Sequence, residues 1–383
     1  MMYLSRILGA AGAAAIFIAA VSAQAKDLVT VTDLAGRTVE VAVPVQRIVL
    51  GEGRFLPSLG ILDREDPTAR IVGMMGDFEQ FDASGYAYFS RYFPGLDDIA
   101  RVGKSGSYTF SLETVVSQQP DMVLLGIGSG HSPSERHTDI IEKLEAAGIP
   151  VVFIDFRIEP LANTPVSLRL LGKLMDREDE TEEFIAFYEE NLAKVSARLE
   201  GVTDRPSVFL ESRVGLRPDC CEAMGNKMMG RFIDWAGGIN LLGEQIPGTH
   251  GTVALEYLLT HQPDHYFATA IGSPDTVDKF PERVVLGAGV AAETARDSLA
   301  HVRERKGLNE LSAVQEGKAF AIWHHFYNTP MNVAAVQAMA KQLHPDRFAD
   351  LSPHDTLKTY FERFQPVPLD GVYWISLNGD SDE

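Results

Sequence analysis

The densest group of chemically able side chains lies at 323–328, where Trp323, His324, His325, Phe326, Tyr327 and Asn328 directly follow an apolar run. Imidazole and phenol can hydrogen-bond a ligand or ligate iron, and the aromatic faces can pack on a planar or organic shell. Arg54 and Arg213 each follow the first strand-like run of their half of the chain. A guanidinium fork bonds two oxygens at once, which suits carboxylate, catecholate or phosphate. His131, His250, His324 and His325 offer imidazoles to a bare divalent metal, but no ligand spacing demands one. Gly126, Gly128 and Gly130 form a glycine-rich turn without the lysine of a Walker loop, so a permissive loop is expected there. No G-x-S-x-G, H-E-x-x-H or reactive cysteine–histidine pattern is present. The expectation is a binding site with no catalytic residue, no resident metal and no cofactor.

These side chains need elements to hold them. Strand-like runs at 47–50, 70–74, 122–125 and 150–154 alternate with helical stretches, and the pattern resumes at 207–210, 264–268 and 318–322. Helical stretches follow at 226–236, 331–343 and 353–364. Such alternation predicts parallel sheets covered by helices. Ligands of open α/β sheets sit beyond the carboxyl ends of the strands. That rule nominates the loops 51–55, 75–78, 126–131 and 155–157 in the first half, and 211–217, 269–272 and 323–328 in the second. Before the first of these strands, alternation at 28–43 around 33–36 predicts a hairpin.

One segment occurs twice. TFSLETVVSQQPDMVLL at 109–125 matches TVALEYLLTHQPDHYFA at 252–268. In each copy the apolar residues at i, i+3 and i+4 predict a short helix, with a Thr as its cap and a Glu in its first turn. Gln-Pro-Asp ends the helix, because proline disfavours helical geometry in the residue before it. The expected architecture is two Rossmann-like α/β lobes, each carrying one such Glu, Glu113 and Glu256, at an equivalent surface point.

Between the halves, Thr164-Pro165 is expected to open a helix that pauses near Asp176-Arg177. Phe184, Tyr188, Leu192, Val195 and Leu199 then form one stripe. A helix over Glu178–Leu199 would span roughly 33 Å, enough to join two domains stiffly. The expected division is a signal segment 1–25, a first lobe 26–160, a helical bridge 161–203 and a second lobe 204–383.

Arg6, the apolar stretch 7–21 and Ala23-Gln24-Ala25 read as a cleaved export signal. No cysteine lies near the cut, so no lipid anchor is expected, and the mature chain should be soluble outside the cytoplasm. The net charge of -19 argues against nucleic acid and anionic membranes as partners. The only cysteines, Cys220 and Cys221, are neighbours, so they form either a vicinal disulfide or two packed thiols.

The chain resembles the periplasmic substrate-binding proteins of ABC importers that carry ferric siderophores, haem and vitamin B12. The resemblance rests on DLAGRTVEVAVPVQR at 33–47, both L-E…Q-P-D segments, AGIPVVFI at 147–154, Gly237-Gly238-Ile239-Asn240 and VQEGKAFAI at 314–322. It implies two lobes joined by one long helix and an iron chelate in the cleft between them. Haem, cobalamin or an oxyanion such as molybdate is the alternative cargo. It further implies an inner-membrane permease as partner, with Glu113 and Glu256 docking on its basic residues, and a monomeric carrier. Ser107 and His250, which precede the two repeat helices, face the cleft in the family, and so join Arg54, Arg213, Trp323, His324, His325 and Tyr327 as expected ligand contacts.

Overall fold

The computed structural model describes residues 27–217 and 220–378. The stretch read as an export signal and the tail after Asn378 lie outside the described residues. The chain opens with an antiparallel hairpin, β1 (Asp27–Thr32) and β2 (Thr38–Val43), in register from Asp27 opposite Val43 to Thr32 opposite Thr38. Its turn is held by Asp33, whose Oδ1 accepts from the Ala35 and Arg37 backbone N–H groups, while Gly36 supplies the positive φ.

The first sheet is wholly parallel. Its strands are β3 (Ile48–Leu50), β4 (Ile71–Met75), β5 (Ala100–Gly103), β6 (Met122–Gly126) and β7 (Val151–Ile154). They lie in the order β5-β4-β3-β6-β7. The chain leaves β3 in one direction and returns to β6 on its other side. The crevice at such a reversal, past the carboxyl ends of the strands, is where open sheets bind ligands. Strands β3, β6 and β7 are buried at every position, as expected of strands covered on both faces.

The second sheet is mixed. Its strands are β8 (Ser207–Glu211), β9 (Glu222–Met224), β10 (Ile239–Asn240), β11 (His250–Thr252), β12 (His265–Ala270), β13 (Ala319–Trp323) and β14 (Trp374–Ser376). The parallel centre β8-β12-β13 is flanked by antiparallel β9 and β11 at one edge and antiparallel β14 at the other. Mostly parallel sheets were expected in both halves, and the antiparallel strands of this one lie at its edges. The short strands β9, β10, β11 and β14 escape sequence reading because two or three residues carry too little periodicity to register.

Between the sheets run two consecutive helices. The first spans Pro160–Met175, not the expected start at Thr164-Pro165, and Pro165 sits inside it. The earlier start has a physical cause in Asp155. Its carboxylate accepts from the backbone N–H groups of Arg157, Ile158 and Glu159 and from Asn163 Nδ2, turning the chain into a helix one turn sooner. The helix stops at Asp176 in the left-handed region, and the 22-residue helix Glu178–Leu199 follows. Phe184 packs at its centre among Phe187, Tyr188, Tyr360 and Phe364. Tyr188 donates to Asn332 Oδ1 at 2.8 Å, and Gln337 Nε2 donates to the Asn191 carbonyl at 3.1 Å. These buried bonds tie the long helix to helix Asn332–Leu343. Glu183 reaches Arg64 at 2.8 Å and Arg363 at 3.0 Å, which links the first lobe to helix Pro353–Phe364. The long helix is therefore packed against both halves and is not a free tether.

The repeat helices are Leu112–Ser117 and Leu255–Thr260. The expected Thr caps do not serve. Ser111 caps the first through the Thr114 N–H, and Ala254 leaves the second without a side-chain cap. Thr109 instead closes a 3-10 turn, and Thr252 ends β11. The helical stretch expected at 226–236 shortens to Gly230–Trp235.

Candidate functional site

The loops past β3, β4, β6 and β7 bring a set of buried ionic side chains to one point. Arg54 donates from Nε to Asp77 at 2.8 Å and from one terminal nitrogen to Glu52 at 3.0 Å. Arg157 donates to the same Glu52 oxygen at 2.6 Å, and Ser129 Oγ caps the other oxygen at 2.6 Å. Burial alone would raise the Glu52 carboxyl, but Arg157 and Arg54 outweigh it and hold it at about 2. Burial pushes Asp77 up to about 6 against the pull of Arg54.

The second lobe completes the cluster. Past β13 the chain turns into the 3-10 helix His324–Asn328. Arg54 donates to Tyr327 Oη at 3.0 Å and approaches His325 Nδ1 at 3.1 Å, and Arg157 donates to Tyr327 Oη at 3.2 Å. Asn328 Nδ2 donates to Glu52 at 3.2 Å. The guanidinium can only donate, so His325 Nδ1 is an acceptor and its Nε2–H donates to the Phe81 carbonyl at 2.9 Å. His325 is thus neutral, with both ring nitrogens engaged. Burial and Arg54 hold it well below the ordinary histidine value. Burial would raise the Tyr327 phenol, but the two guanidiniums more than offset this and lower it. The two lobes meet in a desolvated, charge-paired clasp.

Outside the clasp lies a cleft of about 350 Å³. Arg54, Phe81, Asp82 and His131 line it from the first lobe, and Arg213, Leu216, Arg283, His324 and Tyr327 from the second. His131 is pushed down to about 3, by burial first and then by Arg54. Thr269 Oγ1 accepts from the Arg213 N–H at 2.7 Å and pairs with His324 Nδ1 at 3.0 Å, which sets the His324 ring on the cleft wall. Arg213 stands in the left-handed region at φ 52 and pairs with Glu222, yet its buried Nε has no partner. The Arg283 Nε, Ser84 Oγ and His250 Nε2 are buried and unpartnered as well. Leaving a buried polar group unpaired costs about 1–3 kcal/mol; Arg213, Arg283 and Ser84 are cleft-lining residues, and His250 is not.

The expected contacts separate accordingly. Arg54, Arg213, His324, His325 and Tyr327 line the cleft. His250 sits one layer back, its ring 6.5 Å from that of His324, and burial holds it at about 4. Trp323 turns the other way, into an aromatic cluster with Phe326 and Tyr373. The backbone carbonyl of Ser107 closes the turn before the first repeat helix, and its side chain is not among the cleft-lining residues. Glu113 and Glu256 are both exposed, each in the first turn of its helix.

Glu52, Asp77 and Arg157 sit in loops that the strand-end rule nominated, but no local pattern singled them out; His131, in another such loop, was named only as an imidazole for a bare metal. Asp82, Ser84 and Arg283 lay outside those loops. Among the described residues, the one group of three His, Cys, Asp or Glu ligand atoms close enough to share a metal is Glu211, Cys220 and Cys221. The two cysteines are bonded to each other. The cleft imidazoles do not converge in this way.

Two α/β lobes that enclose a polar cleft at the carboxyl ends of their strands define a cleft-binding architecture. The chain belongs to the periplasmic binding protein family, whose model matches residues 83–323. The crystal structure of a TroA-like periplasmic binding protein, FepB of Veillonella parvula, superposes with a TM-score of 0.79 at 27% identity, covering 91% of this chain and 99% of that one. The molybdate-binding protein MolA of Haemophilus influenzae is 21% identical over 359 residues, 87% of this chain and 90% of MolA. Its molybdate-bound structure gives a TM-score of 0.67 at 20% identity, covering 89% of this chain and 99% of that one. An ABC transporter substrate-binding lipoprotein of Bacillus subtilis, YvrC, is 20% identical over 66% of this chain and 71% of its own length.

Proposed function

We propose that this protein is the substrate-binding component of an ABC importer and that its cargo is a small, oxygen-rich anion, an anionic ferric chelate in the first instance. One observation carries the proposal. Arg54, Arg213 and Arg283 line one cleft together with the His131 and His324 imidazoles, a set rich in groups that can donate to an oxygen-bearing anion. A volume near 350 Å³ falls in the range of sites for small organic ligands, roughly 300–1,000 Å³. That favours a chelate with an organic shell over a bare ion.

A second reading has its own support. A tetrahedral oxyanion such as molybdate would suit the Arg213 and Arg283 guanidiniums on the cleft wall, and MolA, a relative over most of the chain, is a molybdate-binding protein. In both readings the protein works outside the cytoplasm and makes no bonds in its cargo. It hands the cargo to a permease through Glu113 and Glu256. Isothermal titration with a ferric catecholate, a ferric hydroxamate, haem, cobalamin, molybdate, Zn²⁺ and Mn²⁺ tests the proposal. Saturable heat from a ferric chelate is expected. Binding of free Zn²⁺ or Mn²⁺ alone would overturn it, and binding of molybdate alone would select the second reading.

A further inference from the structure

The donor-rich cleft contains one carboxylate that the clasp does not absorb. Asp82 sits between helix Asp77–Phe81 and helix Ala83–Tyr92 and lines both the cleft and the small cavity behind it. One oxygen caps the second helix by accepting from the Gly85 N–H at 3.1 Å. The other makes no hydrogen bond or ion pair with the described residues. Arg54, the nearest cation of its lobe, directs its fork to Asp77, Glu52, Tyr327 and His325 instead. A half-buried carboxylate with a free oxygen works against a bare anion, because like charges in a partly desolvated cleft repel. It favours an anion that brings its own O–H or N–H to that oxygen.

We propose that Asp82 is a specificity-determining residue of the cleft, selecting an anionic cargo that also donates a hydrogen bond over one that offers acceptors alone. The proposal rests on the anion-binding reading above and narrows it. The cargo presents oxygens to Arg213, Arg283 and His324, and presents an amide, hydroxyl or acid hydrogen to Asp82. A chelate with amide or hydroxyl groups meets this demand, and so does hydrogen phosphate. Molybdate at neutral pH carries no hydrogen and does not.

The test is Asp82→Asn, which retains a side-chain oxygen for the Gly85 N–H and so keeps the helix cap. Wild type and variant are titrated at neutral pH with three probes: the ferric complex of a tris(catecholamide), inorganic phosphate and sodium molybdate. A urea melt of each confirms the fold. The variant should bind the two donor-bearing probes about tenfold more weakly, the loss of one hydrogen bond to a charged group. It should bind molybdate as well as or better than wild type does. A merely structural Asp82 would move all affinities in the same direction. Donor-bearing probes binding the variant as tightly as wild type, or more tightly, would overturn the inference. Wild-type binding of molybdate alone, strengthened in the variant, would overturn it too while leaving the anion-binding reading intact. Absence of binding of all three probes by wild type would fell both.

Discussion

A carboxylate with no solvent exposure, as Glu52 is, persists only where cations surround it. Two guanidiniums, a hydroxyl and an amide do so here. Replacing Glu52 by Gln leaves Arg54 and Arg157 crowded and under-paired. It should destabilise the fold by about 3–5 kcal/mol, read as a shift in the urea midpoint at constant slope. His324 and His325 are neighbours with different duties. His324→Ala should weaken cargo binding and leave the urea midpoint nearly unchanged, because only its Nδ1 is held by the protein. His325→Ala should lower the unfolding free energy by about 1–3 kcal/mol, since its two nitrogens bond the other lobe. Equal effects of the two changes on stability would refute that division. pH acts through the same groups. His131, at about 3, and His250 and His265, both at about 4, lie below the ordinary histidine value of 6.5. Their stabilisation is present above 6.5 and is lost as pH falls through 4 toward 3. Asp77 and Asp82, both raised to about 6, act in reverse, and their stabilisation is lost as pH rises through 6. The three displaced histidines, joined by His324 and His325, outnumber the two acids. Urea midpoints should therefore decline between pH 6.5 and 4.5, and a flat profile would contradict these assignments.

At the scale of elements, sequence reading succeeded where one period ran long. The stripe from Phe184 to Leu199 marked the helix Glu178–Leu199, and helix Pro353–Phe364 also showed clear ends. It failed where a distant side chain decided the outcome. Asp155 set the start of the Pro160–Met175 helix, a choice no local rule at Thr164 could register. The site was legible as a set of strand-end loops and as the dense run at 323–328. The pairing of Glu52 with Arg157 was not, because the partners come from different strand ends and their encounter depends on sheet order. Phe184 is the centre of the packing between the long helix and helix Pro353–Phe364. Phe184→Ala should cost about 3–5 kcal/mol, measured by equilibrium unfolding, and a cost below 1 kcal/mol would show that this contact is dispensable.

For the whole molecule, the two exposed glutamates stand one in each lobe, and the proposed handover to a permease runs through them. Exposed ion pairs are individually weak but set register and association rate. The double change Glu113→Arg and Glu256→Arg should abolish uptake in cells and leave cargo affinity measured by titration unaltered. Unimpaired uptake would remove the docking role. The clasp formed by Arg54, Arg157, Glu52 and Tyr327 has a consequence beyond stability. Because its partners come from both halves, swinging one lobe wide of the other would part charges already paired and out of water, so a vacant carrier and a laden one should present nearly the same silhouette. A transporter that must ignore vacant carriers then has little gross geometry to judge by, and the cue that a passenger is aboard has to be written in the small print around the opening.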